Sequence, residues 1–555
     1  MFRHVHPFAI RDQWAERVRE RYQLKLETGE LIAERSKAFS VTRDALGEVD
    51  YTLSMKYLYD SLKLGDTVTE ESFCDYCRDL EMALEIGAQY PNTGLIKSLT
   101  ERKREGSLIY IVSDFHLGKA EFIKFLKAHD VDTGIFDEIV VSCDHGKTKQ
   151  SGELYDYVIG TWGIDPDTVE MFGDSVGSDH ESAKRHGIKK THLRRRLLHK
   201  AVLKGRRIAK CDYGRRMPSV TVGYCKKSAL PFAEYLQLYY SFVQRLSARC
   251  AEENVYFLSR EGLFLKKLFD QYEYLLGGGR HTDYFLCSRE SAENAREKER
   301  EAFCRYADGK GLRDGDALVD IGWKGTMQKA IEDILGIRLK GYYLGLNGDP
   351  GNEYGIDKTG LVFHENMGSE YHVLKSNTQL YEQLAAAPHG SPRHYVENNG
   401  TVGVSLEWPE EEKFLYEKEI GRMQEELLLL SAGMAAWNGR REAFSNKDNC
   451  LTVLRSGLFA DKERIAFLKL LDNTFVYNFG NTAVGTEYQT SSVKIGPDIF
   501  YAPEQYCRYF VKLQRMLSDR PILNGLYYLV AGSYYAYVRI VLRIKCRNWR
   551  RAVRG

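Results

Sequence analysis

The chain has 555 residues, too many for one ordinary hydrophobic core, so two or three domains are expected. A composition of 43% hydrophobic and 28% charged residues fits a soluble globular protein, and a net charge of +2 excludes general nucleic-acid binding by the chain as a whole. Eleven cysteines without framework spacing exclude a disulfide scaffold and, with no signal peptide at Met1, point to a reducing cytoplasm. The one close pair, Cys74 and Cys77, has no second pair or nearby His to complete a tetrahedral zinc site.

Residues 9–95 read as mostly helical, with apolar and charged spacing of helical period over Arg11–Tyr22, Glu27–Lys37 and Glu70–Gly87. The pattern then changes. An apolar run, Ser107 to Val112, closes on Ser113-Asp114-Phe115-His116-Leu117 and reads as a buried parallel strand with polar residues at its carboxyl end. A helix over Lys119–Ala128 leads to a strand over Glu138–Ser142, and Lys147-Thr148-Lys149-Gln150-Ser151-Gly152 opens another helix. A third strand, Thr168–Phe172, runs into Gly173-Asp174-Ser175-Val176-Gly177-Ser178-Asp179, and Glu181–His186 reads as helical. This alternation predicts a doubly wound α/β unit. A serine, a lysine and two aspartates at its strand ends suit phosphate chemistry. Ser113 and Lys149 can hold phosphoryl oxygens, and Asp174 and Asp179 can hold a hard cation such as magnesium.

The order Ser113-Asp114, Lys149, Gly173-Asp174 and Asp179 resembles motifs two, three and four of the haloacid dehalogenase (HAD) superfamily, and more closely the large HAD-like proteins of bacterial polysaccharide gene clusters. The resemblance implies a HAD-like doubly wound parallel sheet with a helical cap, here residues 9–95, over a core of 96–190. It implies a magnesium-dependent phosphohydrolase acting on a phosphorylated small molecule, such as a sugar phosphate. HAD enzymes also need a first motif, Asp-x-Asp, whose leading aspartate is the nucleophile. No Asp-x-Asp precedes Ser113; Asp130-Val131-Asp132 comes after it, and Asp165-Pro166-Asp167 reads as a turn. In the relatives that motif stands just ahead of a segment like Phe2-Arg3-His4-Val5-His6-Pro7, so the expectation is a start called too late or a domain kept for binding.

Residues 189–216 are strongly basic, from Lys189 and Lys190 through Arg194, Arg195 and Arg196 to Arg216, and read as a solvated helical connector, with a linker over 196–220. A second α/β domain is expected over 221–370, with strands at Glu253–Leu258, Asp283–Leu286, Asp316–Ile321 and, last, Leu339–Leu346. The turn Gly322-Trp323-Lys324-Gly325-Thr326 is a candidate anion cradle, with Gly322, Gly325 and Thr326 as ligand-binding positions and a distant likeness to phosphoribosyltransferases; glycines that only make a tight turn are the other reading. Ser259-Arg260-Glu261-Gly262 and Asp320 to Thr326 also resemble turns of the same polysaccharide-cluster relatives. Residues 371–520 read as mainly helical, with a long amphipathic helix over Glu410–Ala435. In the tail, 521–555, an uncharged tyrosine-rich stretch precedes seven basic residues and no acid, which fits either a core helix with a solvated end or peripheral contact with an anionic membrane.

Overall fold

A computed structural model describes residues 2–194, 197–347, 354–398, 400–475, 477–479, 482–484 and 496–552; of the basic run, Arg195 and Arg196 lie outside the described residues. The chain forms two compact units, one of Met1–Thr221 with Leu275–Gly277 and Ala432–Gly439, the other of Val222–Tyr274, Gly278–Ser431 and Arg440–Gly555.

In the first unit, strand β1 (Phe2–Arg3) pairs antiparallel with β2 (Gln89–Tyr90), closing the base of a four-helix array: Pro7–Tyr22, Thr28–Leu46, Tyr51–Leu62 and Glu70–Ala88. These helices begin where the sequence offers caps. Asp50 accepts from Leu53 N–H, Thr69 accepts from Ser72 N–H, and Glu27 and Glu30 form a reciprocal capping box. Their apolar faces bury Trp14, Leu31, Leu58, Phe73 and Leu80.

The α/β part that follows holds β3 (Tyr110–Ser113), β4 (Glu138–Val141), β5 (Glu170–Gly173) and β6 (Lys190–Leu193). β3 pairs in parallel with β4, and β5 with β6. β3 and β5 do not pair with each other, and each has one edge without a strand partner among the described residues. One helix, Glu153–Trp162, nevertheless covers both pairs. Its Leu154 and Val158 pack on Val112 and Val140, while Tyr155 and Ile159 pack on Met171, Ala183 and Ile188. Both β3 and β5 are only half-buried, whereas inner strands of a doubly wound sheet are covered on both faces.

The basic stretch is not one helical connector. Lys190–Leu193 is strand β6, because it pairs in parallel alongside Glu170–Gly173, and Leu197–Ile208 folds back so that Arg207 lies 4.3 Å from the Phe8 ring and His199 Nε2 is 2.7 Å from the Arg3 carbonyl oxygen.

In the second unit, β7 (Asn254–Leu258), β8 (His281–Phe285), β9 (Ala317–Asp320), β10 (Lys340–Gly345) and β11 (Asp357–Phe363) form one parallel sheet in the order β11-β10-β9-β7-β8. The four strands expected from the sequence are present. The fifth, β11, was not anticipated, because Lys358, Thr359 and Gly360 interrupt its apolar run. The region after residue 371 is mainly helical, but it contains an antiparallel hairpin, β12 (Ser391–Asn398) and β13 (Thr401–Glu407), whose Tyr395 is buried against Phe285, Phe303 and Tyr306. Glu410–Asn438 is helical throughout, with a π turn at Tyr416–Ile420 between two α segments. Among the described residues no helix is long and apolar enough to cross a membrane.

One buried ion pair joins the helical array to the α/β part. Arg35 donates to Glu81 at 2.8 Å with both side chains almost fully covered, and His116, three residues past β3, stands 3.1 Å from the other Glu81 oxygen. Burial alone raises the Glu81 carboxyl, but Arg35 and His116 outweigh it and leave the pKa at about 2. A depressed carboxyl pKa contributes stability that is present above about 4.5 and lost as pH falls through about 2. Glu81→Gln leaves Arg35 buried without its counter-charge, with an expected loss of about 3–5 kcal/mol, measured by urea unfolding at pH 7.

Candidate active site

The first unit brings three separate stretches of sequence together at the carboxyl ends of β3 and β5. Ser113 closes β3, and the next residue, Asp114, accepts a 2.8 Å hydrogen bond from the Lys149 backbone N–H. The Lys149 ammonium reaches Asp179 Oδ1 at 2.7 Å. The other Asp179 oxygen accepts from the backbone N–H groups of Asp174 at 2.9 Å and Ser175 at 3.0 Å. Lys149 therefore ties the end of β3 to the end of β5 across two edges that share no backbone hydrogen bonds. Burial raises the Asp179 carboxyl, but Lys149 and the two N–H donors more than offset it and hold the group below the ordinary aspartate range.

The local sequence explains this geometry. A Cβ at Gly173 would lie 2.2 Å from Asp179 Oδ2, so only glycine lets the carboxylate fold back over the end of β5. Residues Gly177–Ser182 form a π turn, and Tyr155 donates to the Ser178 carbonyl at 2.9 Å, fixing that turn to the helix behind it. Gly47, which ends the helix Thr28–Leu46 in a left-handed conformation, lies against Gly146, so the helical array touches the loop that carries Lys149.

Asp174 differs from Asp179. Its side chain is exposed and pairs with Lys200 at 2.6 Å, with both groups more than half exposed. Such a pair is weak, with a median worth of about 0–1 kcal/mol, so the Asp174 carboxylate remains open to a competing cation. Among the described residues no three His, Cys, Asp or Glu side chains cluster to hold a metal unaided. Magnesium rarely asks for that; it takes one or two carboxylates and completes its shell with water and substrate phosphate. Asp174 fits that role, while Asp179 is engaged by Lys149 and two backbone donors.

The second unit has its own concentration of polar groups. The chain runs from β7 outward to β8 and then returns to the opposite side of β7 as β9, so the direction of winding reverses between β7 and β9, the place where open α/β sheets bind ligands. Ser259-Arg260-Glu261 follows β7 and Asp320-Ile321-Gly322 ends β9 there. Asp320 is buried and its pKa is pushed up to about 8, first by burial and then by the neighbouring Glu261 charge. Glu382, which accepts a 2.6 Å hydrogen bond from Trp323 Nε1, is raised by burial and by the same Glu261. Arg289 offsets part of this at both carboxyls. Sequence reasoning missed Glu261 and Glu382 as partners of Asp320; Glu382 is distant in sequence and nothing in its local pattern marks it.

Gly322, Gly325 and Thr326 occupy the turn after β9. Thr326 opens the helix Thr326–Leu335. A Cβ on Gly322 would lie 2.8 Å from the Gly345 carbonyl oxygen, and one on Gly325, at φ +83°, would lie 2.5 Å from Ile356. Both glycines are thus demanded by close packing within the unit.

The first unit thus sets a serine, a lysine and two aspartates at or just beyond the carboxyl ends of parallel strands. Residues 54–192 match the haloacid dehalogenase-like hydrolase family, so the chain carries a HAD-like domain. No curated protein matches the chain.

Two outcomes follow. Gly173→Ala displaces Asp179 from its seat and is expected to cost about 1–3 kcal/mol, read as a lowered urea midpoint. Asp320 carries a raised pKa, so the folded state binds a proton more tightly than the unfolded state and stability falls as pH rises from about 4 through about 8. Asp320→Asn keeps an acceptor for the Ile321 N–H and is expected to raise the melting temperature at pH 8.5 and to raise it much less at pH 5.

Proposed function

We propose that the amino-terminal unit is the phosphate-holding part of a magnesium-dependent HAD-type phosphohydrolase, acting on a sugar phosphate in the assembly of a bacterial surface polysaccharide. The observation that carries this reading is the Lys149 bridge, which gathers Ser113, Asp114, Lys149, Asp174 and Asp179 at the carboxyl ends of two parallel strands that belong to separate pairs. In this reading the Ser113 hydroxyl and the Lys149 ammonium bind the transferring phosphoryl oxygens and offset their charge. Asp174 holds the magnesium ion, which when bound would neutralise charge on the phosphate, and Asp179 positions Lys149 and the Asp174 backbone. The polysaccharide context rests on the resemblance of the stretches around Ser113, Lys149, Asp174, Glu261 and Asp320 to proteins of those gene clusters.

Phosphoryl transfer by this route needs a carboxylate nucleophile, and no Asp-x-Asp stands ahead of Ser113 in the sequence. The second reading is a phospho-ligand-binding or scaffold domain that works with these residues alone and needs no carboxylate nucleophile.

The two are separated by assay of phosphate release from hexose phosphates, with magnesium and with a chelator. The chain is tested as written and with an Asp-x-Asp strand supplied ahead of Phe2. Magnesium-dependent release from the extended chain, reduced about 100-fold or more in Lys149→Ala and Asp174→Ala, is the expected outcome. Sugar-phosphate binding without turnover in either chain establishes the binding domain instead.

A further inference from the structure

The carboxy-terminal helix, Pro521–Ala552, has two apolar stripes, and only one of them belongs to the core. Tyr527, Ala531, Tyr534, Val538 and Leu542 are buried within the second unit, and Tyr527 and Tyr534 also donate to the Phe510 and Pro503 carbonyls. The second stripe, Ile522, Leu526 and Leu529, then Tyr537, Ile540 and Ile544, keeps three-to-four residue spacing on either side of Ser533 but faces solvent; Ile522 and Leu529 are 81% and 72% exposed. It runs about 33 Å along the helix at 1.5 Å per residue. Phe500 and Tyr501, 70% and 78% exposed, extend the surface sideways, since Tyr537 donates to the Phe500 carbonyl and Lys545 to that of Tyr501. Scattered exposed apolar side chains are ordinary, but two apolar patches aligned on one helix face over this length, broken only by Ser533, mark a binding face.

Charge identifies the occupant. From Pro521 to the end of the chain there is no acid, and seven arginines and lysines follow Val538. Arg539 and Arg543 each stand one residue before a stripe residue, about 100° round the helix, so they border the apolar face. Apolar side chains edged with guanidinium groups match the boundary between acyl chains and anionic headgroups. A second copy of this helix would offer those arginines no acidic partner.

We infer that the exposed face of Pro521–Ala552, with Phe500 and Tyr501, docks the protein on an anionic membrane surface, the helix lying in the plane of the interface. This accounts for a helix that is apolar on two sides and too interrupted to cross a bilayer.

The test is flotation of the full chain with vesicles of phosphatidylcholine alone or with about 30% phosphatidylserine. Binding is expected only to the anionic vesicles and is expected to weaken in about 0.5 M salt. Leu529→Glu with Ile540→Glu, and separately Arg539→Glu with Arg543→Glu, are each expected to reduce vesicle binding about tenfold or more. The substituted side chains lie at the surface, so far-UV circular dichroism and the melting temperature are expected to stay unchanged. Equal binding to neutral vesicles, or retention of binding by both double variants, overturns the inference. So does a concentration-dependent dimer without lipid that the leucine and isoleucine changes dissolve, because the stripe is then a self-interface.

Discussion

The amino-terminal site depends on one side chain. Lys149 comes from a loop between β4 and the helix behind the sheet, donates its backbone N–H to Asp114 at the end of β3 and extends its ammonium to Asp179 beside β5. Besides it, the two strand pairs, which share no backbone hydrogen bonds, are joined by the apolar contacts of Glu153–Trp162 and by Arg102 and Lys103, which ion-pair with Glu170 and Asp137. The lysine is only 13% exposed and its partner 5%, so the pair acts where water screens it little. The same group that would meet a phosphoryl oxygen thus sets the geometry of the site, and in doing so fixes Asp179 in its ionised form.

A related economy appears in the way the helical array is joined to that site. His116 lies in the loop after Ser113-Asp114 and reaches the buried Glu81–Arg35 pair, while Gly47 closes on Gly146 ahead of Lys149. Helices that would cover a substrate are thereby linked to the two loops that would bind it. The second unit handles charge in the opposite way. At the reversal between β7 and β9 it sets Asp320 and Glu382 near Glu261, and the backbone N–H donors at Asp320, the Trp323 hydrogen bond at Glu382 and Arg289 draw them only part of the way back toward ionisation, so burial and like charge favour the protonated carboxyls. The two units share a parallel architecture and differ in the electrostatics at their strand ends.

Much of this was legible in the chain. The apolar runs ending at Ser113, Val141, Gly173, Leu258 and Asp320 become parallel strands because branched and aromatic residues bounded by polar turns have no comparable helical pattern. The helical character of residues 7–88 follows from period and caps. Other elements were obscured. The strand Lys190–Leu193 hides within a basic run, since a lysine and a histidine tolerate a half-exposed edge position that only pairing with β5 creates. β11 and the hairpin Ser391–Glu407 carry glycine, proline and charge, and they are ordered by the neighbours they pair with more than by their own propensities.

The sequence by itself determined the α/β class and the HAD-like domain, because those depend on local period and on the short motifs whose residues stand at strand ends. Tertiary structure alone decided which of those residues meet. It separated Asp179, held by Lys149, from Asp174, left at the surface, although the two are five residues apart. It brought Glu382 near Asp320, paired β3 with β4 and β5 with β6 but not with each other, and turned one apolar stripe of the last helix inward and the other outward. The physical reason is common to all four: burial, coupling between charges and the pairing of strand edges are properties of neighbours in space, which a linear pattern does not carry.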